Sequence, residues 1–255
     1  MNFDLFFNCI KIVADLCLLG SKLILFRKMK RKKTVSGISL KWNVLMLIGY
    51  VCLFVDAREW KLVSLWSIYN NIVKVALLEY QIGIILLIWF KFYETYDRKS
   101  DRFPIVILIV LSVILSLAIS SRRNRIELFI GVSIPEYNYI FNILKNTGIF
   151  INSLAIIPQL VMIQDTEDCE SMTGRIVFLY SMGIMLSFLY DLYLFNSVIL
   201  IIVGFISMCL IIDFMWSYYK HMMCNLERRM TVNARVIGTR IENVKQILNR
   251  KVSKE

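Results

Sequence analysis

Residues 66–92 read WSIYNNIVKVALLEYQIGIILLIWFKF. Only Lys74, Glu79 and Lys91 are charged, and the remainder is dominated by Ile, Leu, Val and aromatic side chains. At about 1.5 Å per residue a helix of this length exceeds the roughly 30 Å of bilayer hydrocarbon. So long an apolar run reads as a membrane-spanning helix rather than an element of a soluble core.

Six further stretches have the same character: Phe3 to Phe26, Leu40 to Asp56, Phe103 to Ser120, Tyr137 to Ile163, Ile176 to Tyr190 and Leu192 to Tyr219. Hydrophobic residues make up 58% of the 255 positions, beyond the roughly 45 to 50% of soluble domains. The expectation is an all-α membrane protein of seven transmembrane helices, because lipid leaves the backbone no other partner short of a closed barrel. One bundle, residues 1–219, uses almost the whole chain, and residues 220–255 form a basic tail. The first span is too long for a signal h-region and carries its basic residues after the apolar run, so it reads as a retained helix. Spans six and seven are separated only by Asp191 and Asn196, and a single element there would change the parity.

The net charge of +11 is unevenly placed. About 20 Lys and Arg lie in the first, third and fifth connections and the tail, against about five (Arg58, Lys61, Arg122, Arg123, Arg125) on the other side. The positive-inside rule then makes the tail cytosolic and the N-terminus lumenal or external. The same placement at span ends argues against nucleic acid as a partner and for the lipid bilayer. The six cysteines form no CxxC pair and His221 is the lone histidine, so neither a metal nor a disulfide framework is expected. No cofactor is expected either. Catalysis finds no nucleophile elbow, and the acidic run Asp165, Glu167, Asp168, Glu170 reads as a solvated loop, so the chain reads as no enzyme.

Ser36-Gly37-Ile38-Ser39 precedes span two and Ser171-Met172-Thr173-Gly174 precedes span six, each a small polar tetrad whose hydroxyls suit helix capping. Two three-helix units around a linking fourth helix explain the recurrence, and such parallel repeats place a binding site between the units. Pro158-Gln159 in span five is the second sign: the proline frees a carbonyl one turn back, the glutamine amide can re-satisfy backbone, and the pair reads as a hinge.

Several stretches together resemble the KDEL receptor family, the endoplasmic reticulum lumen protein-retaining receptors, whose 3+1+3 fold is shared with PQ-loop and SWEET transporters. They are Lys91-Phe92, Thr95-Tyr96-Asp97, Asp101 and Phe103; Ser67-Ile68-Tyr69-Asn70 with Lys74-Val75; Ala155-Ile156-Ile157-Pro158-Gln159-Leu160; Gly37-Ile38-Ser39; Tyr193-Leu194-Phe195-Asn196; and Asp213-Phe214. The resemblance implies a receptor that binds C-terminal retrieval-signal peptides of lumenal proteins, arginines holding the peptide carboxylates. Those arginines fall here on Leu5 and Leu53, and on Ile184 or Tyr190 depending on register. The family's histidine falls on Ile12 and its fifth-span glutamates on Asn142 and Asn152. Without the imidazole, carboxylate pairs would have to sense pH.

Charged residues inside spans are costly and are functional candidates by default. Lys74 and Lys145, with Tyr69, Asn70, Asn142 and Asn152, could form a polar cavity between spans three and five that receives a carboxylate; equally, Lys74 could pair with Glu79 or Asp56. Arg58 is close enough to a shifted second-span register to substitute for the lost arginine. Lys11 and Asp15, at i,i+4, could pair with each other and need no ligand. Lys22 and Asp56 lie near span ends, where snorkelling accounts for them. The resemblance ties Asp213 to transport between compartments. The tail reads either as an anchor on an anionic leaflet or as a retrograde coat signal using Lys251 and Lys254. The reading is a retrieval receptor of the early secretory pathway. Its rival is a small-solute transporter of PQ-loop or SWEET type.

Overall fold

The computed structural model describes residues 3–54, 64–129, 136–165, 174–194, 201–220 and 223–224. Asp56, Arg58, the tetrad residues Ser171, Met172 and Thr173, His221, Lys251 and Lys254 lie outside these. The elements are α1 (Phe3–Lys32), α2 (Leu40–Phe54), α3 (Leu65–Leu86, continued by a π turn over Leu87–Lys91), α4 (Ile105–Phe129), α5 (Glu136–Leu154), α6 (Ile157–Asp165), α7 (Gly174–Leu194) and α8 (Ile201–Lys220). No strand occurs among the described residues. Four helical stretches, Leu65–Lys91, Tyr139–Asp165, Arg175–Tyr193 and Ile201–Lys220, are each long and apolar enough to cross a membrane. Leu40–Phe54 and Ile105–Ser120 are shorter apolar helices, and the molecule is a multi-pass helical bundle.

The ends of these helices follow from local chemistry. α1 runs past Phe26 through the basic stretch to Lys32, because Lys and Arg are good helix formers and cations suit a helix C-terminus. It stops where Lys33 turns left-handed (φ 54°), its N–H still donating to the Met29 carbonyl at 2.9 Å. Gly37 has φ 78° in the turn closed by Ile38 N–H on the Val35 carbonyl, a position that favours glycine. Ser39 then caps α2, its Oγ accepting from the Trp42 N–H at 3.0 Å, as the tetrad predicts. Ser64 caps α3 in the same way through the Ser67 N–H. On α4 the buried positions Leu108, Ser112, Ser116 and Ser120 recur every four residues, a stripe of mostly small side chains that admits α5 closely.

Span five is broken as Pro158 predicts: α5 ends at Leu154, Ala155 and Ile156 turn, and α6 resumes at Ile157. Spans six and seven are two passes. Phe188 of α7 lies against Gly204 of α8, sixteen positions further on. One continuous helix would hold those residues ~24 Å apart. The boundary moves, however, since Leu192 and Tyr193 belong to α7.

The passes associate in a pattern that fits the repeat. α1 packs antiparallel on α7, with Phe7 stacked on Tyr193 at 3.8 Å and Gly183 seated on Leu18 and the Ala14 carbonyl. α2 packs antiparallel on α5, where Gly49 faces Asn152 and Gly148 faces Cys52 and Leu53. If spans one to three repeat as five to seven, the contact of span one with six is the counterpart of span five with two. Both occur. The chief buried cluster joins these helices through Leu25, Trp42, Leu45, Ile151, Ile156 and Tyr180. The outward Leu, Ile and Phe side chains, such as Phe90 and Leu65, belong to the lipid-facing surface.

Candidate functional site

Asp15 of α1 is only 2% exposed. Such burial requires partners, and it has two. Lys11 Nζ donates to its Oδ1 at 2.7 Å, the i,i+4 pair that the spacing predicts, and Tyr69 Oη of α3 donates to Oδ2 at 3.2 Å. Tyr69 is itself stacked on Trp66, with centroids 5.4 Å apart. Asp191 of α7 is within electrostatic reach of Lys11, so α1 presents one cation between two carboxylates.

Beside this triad lies a cavity of about 550 Å³, bounded by α1, α2 and α3. Lys74 and Asn70 line it together with Lys11, Asp15, Trp66 and Phe54. The Lys74 amine sits 5.6 Å from the centre of the Phe54 ring, and Glu79 of the same helix is exposed. The cavity mouth is at the end of the bundle where α3 begins and α2 finishes, and residues 55–63, with Asp56 and Arg58, connect those two helix ends.

The expected cavity between spans three and five is not where the structure places Lys74: that cavity lies within the first three passes. Lys145 is on an exposed position of α5, and Asn142 of the same helix is half-buried. Asn152 faces α2, its Oδ1 buried without a hydrogen bond against Gly49. The reason is helical phase, since α5 turns Gly148 and Asn152 towards α2 while Ser116 and Ser120 of α4 take Ile143 and Asn146 on another side.

At the opposite, basic end, the residues that carried the family resemblance form a hydrogen-bonded latch. Asp101 is 3% exposed. It accepts from Ser39 Oγ at 2.9 and 3.0 Å, from the Lys41 N–H at 3.2 Å and from Tyr96 Oη at 2.5 Å. Thr95 Oγ1 accepts from the Val35 N–H. Burial first, and the bond to Asp101 second, push the Tyr96 hydroxyl far above its ordinary range, so it stays a donor. Asp97 closes its own turn, and the Ser100 hydroxyl bonded to it is the main reason its carboxyl is held below the usual range. Gln159 completes the latch from α6, accepting from the Ser39 N–H at 2.8 Å and donating to the Gly37 carbonyl at 2.9 Å. The glutamine therefore satisfies backbone, but that of the α1–α2 connection rather than of its own broken helix. Asn43 carries the chain of bonds inward, accepting from Gln81 Nε2 of α3 at 2.9 Å.

Lys22 corrects an expectation. It is not snorkelling at a span end, because α1 continues for ten residues beyond it and the side chain is 1% exposed. Its Nζ lies 4.8 Å from the Trp42 ring centre and 5.7 Å from that of Tyr180. A cation over a ring gains ~0.5 to 2 kcal/mol, less than the several kcal/mol that losing hydration costs a buried ion. Asp213 also lies on an exposed position, beside the fully buried Phe214 of α8.

The sequence pattern of the family described as "ER lumen protein retaining receptor" matches residues 34–194. The chain is 30% identical over 221 residues to an "ER lumen protein-retaining receptor" of Dictyostelium discoideum, covering 85% of this chain and 95% of the relative. It is 29% identical over 222 residues to one of Caenorhabditis briggsae (83% and 92%) and 29% over 224 residues to "ER lumen protein-retaining receptor 3" of Danio rerio (85% and 94%).

Proposed function

The chain belongs to the ER lumen protein-retaining receptor family, and from that premise we infer that it captures the C-terminal retrieval signals of lumenal proteins and returns them from Golgi to endoplasmic reticulum. The observation that carries this reading is the cavity of about 550 Å³ with Lys74 and Asn70 on its wall, at the end of the bundle remote from the basic connections. By the positive-inside rule that end is lumenal, where the ligand arrives. Lys74 supplies the positive charge for a peptide carboxylate, Asn70 an amide for the adjoining peptide bond, and the Lys11–Asp15–Tyr69 triad a wall whose charges are already compensated. Arg58 and Asp56, which lie outside the described residues, belong to the same proposal by their place in the sequence between α2 and α3. Lys145, Asn142 and Asn152 do not line that cavity and are assigned no contact with the ligand. The break at Ala155-Ile156, with Pro158 and Gln159, is the proposed pivot between the two three-helix units. Asp213 and the tail lysines Lys251 and Lys254 are assigned to traffic, the lysines through a retrograde vesicle coat.

Peptide binding to the purified receptor, followed from pH ~5 to ~7.5, tests the reading. C-terminal tetrapeptides with a free carboxylate should bind, and their amidated counterparts should not. Equal binding of the two, or none of either, would sink it.

A further inference from the structure

The fully buried lysine of α1 has no part in the peptide site. Lys22 Nζ finds no hydrogen-bonding partner among the described residues, and what faces it is aromatic: Trp42 of α2 and Tyr180 of α7, whose rings meet edge to face at 5.4 Å. Ser181, next to Tyr180, likewise buries an Oγ without a partner. Two ring faces return only part of an ammonium's hydration, so the junction of α1, α2 and α7 closes over an uncompensated group. The adjoining seam is made for close contact. Gly20 faces Leu179, and Gly183 lies on Leu18 and the Ala14 carbonyl, so the backbones of α1 and α7 approach closely beside the buried amine.

We propose that Lys22 is a conformational spring, its amine clamped dry between Trp42 and Tyr180 in the closed junction and released to water when α7 parts from α1 at the basic end. The clamp disfavours the closed arrangement and thereby keeps a second arrangement of the bundle within reach. Nothing in this device requires a ligand, so it stands or falls independently of the peptide-binding reading.

Amine acylation of the native full-length receptor in detergent, mapped by mass spectrometry, reads the opening directly. Lys22 should be acylated well before global unfolding, at a rate unchanged by low denaturant, as a local opening requires. Acylation of Lys22 only at the rate at which the whole protein unfolds would overturn the proposal. Lys22→Met supplies a second reading, since it keeps most of the stem and removes the charge. The thermal midpoint should rise by about 2 to 4 °C, and acylation elsewhere in the junction has no bearing on that shift. A lowered midpoint, the result of ordinary lost packing, would overturn the proposal as well.

Discussion

Replacing Lys74 by Met leaves a side chain of similar length on the cavity wall without its charge. A charge-assisted contact is worth roughly 1.5 to 3 kcal/mol, so peptide affinity should fall by about one to two decades while the protein still folds. Titration of the variant with the same tetrapeptides checks this, and undiminished affinity would move the carboxylate contact to Arg58. Asp101→Ala should behave in the opposite way. Three donors, Ser39 Oγ, the Lys41 N–H and Tyr96 Oη, lose their acceptor together, costing about 3 kcal/mol or more in stability. The thermal midpoint should drop by several degrees while affinity in the surviving folded protein stays put; weakened affinity would show that the latch reaches the ligand site. These residues differ in how legible they were. Lys11 and Asp15 could be paired from spacing because i and i+4 share one helix face. Tyr69 could not be assigned to Asp15, because nothing in the sequence says which helix stands beside which. The place of Lys22 is not legible because Arg27 and its neighbours imitate a membrane boundary, whereas α1 stays helical to Lys32 and brings the lysine under Trp42.

At the scale of elements, the break of span five was legible because proline cannot donate within a helix, and the cap of α2 because Ser39 sits where a free amide needs it. The π turn closing α3, with Phe92 N–H on the Leu87 carbonyl at 3.0 Å, left no comparable mark in the sequence. Nor did the phase of α5, which decided that Asn152 faces Gly49 rather than the cavity. Where α2 meets α5 the backbones touch: a Cβ on Gly148 would stand 2.8 Å from the Gly49 carbonyl and 2.9 Å from the Leu53 nitrogen. Gly148→Ala should therefore force the helices apart at a cost of about 1 to 3 kcal/mol. A lowered thermal midpoint is the expected outcome, and an unchanged one would mean that α2 and α5 yield without loss.

Across the whole molecule, charge and cavity stand at opposite ends. The first and third connections gather Lys30, Arg31, Lys32, Lys33, Lys99 and Arg102 on the side of the Asp101 latch, while the mouth beside Ser64 opens on the other. The antiparallel order of α1 on α7 and of α2 on α5, taken with the positive-inside rule, leads us to propose that the N-terminus is lumenal and the tail cytosolic. On that proposal the tail and the cavity stand on opposite sides of the bilayer, and charge lying beyond a bilayer is screened within roughly 8 to 10 Å. Deleting residues 227–255, which removes Lys251 and Lys254, should shift the steady-state distribution between Golgi and endoplasmic reticulum. Peptide affinity in detergent should meanwhile stay within a factor of about three, less than ~0.7 kcal/mol. Imaging of the truncated receptor alongside peptide titration separates the two effects. If truncation left location intact but abolished uptake of a small solute into vesicles, the cavity would be a carrier's and the retrieval reading would fail.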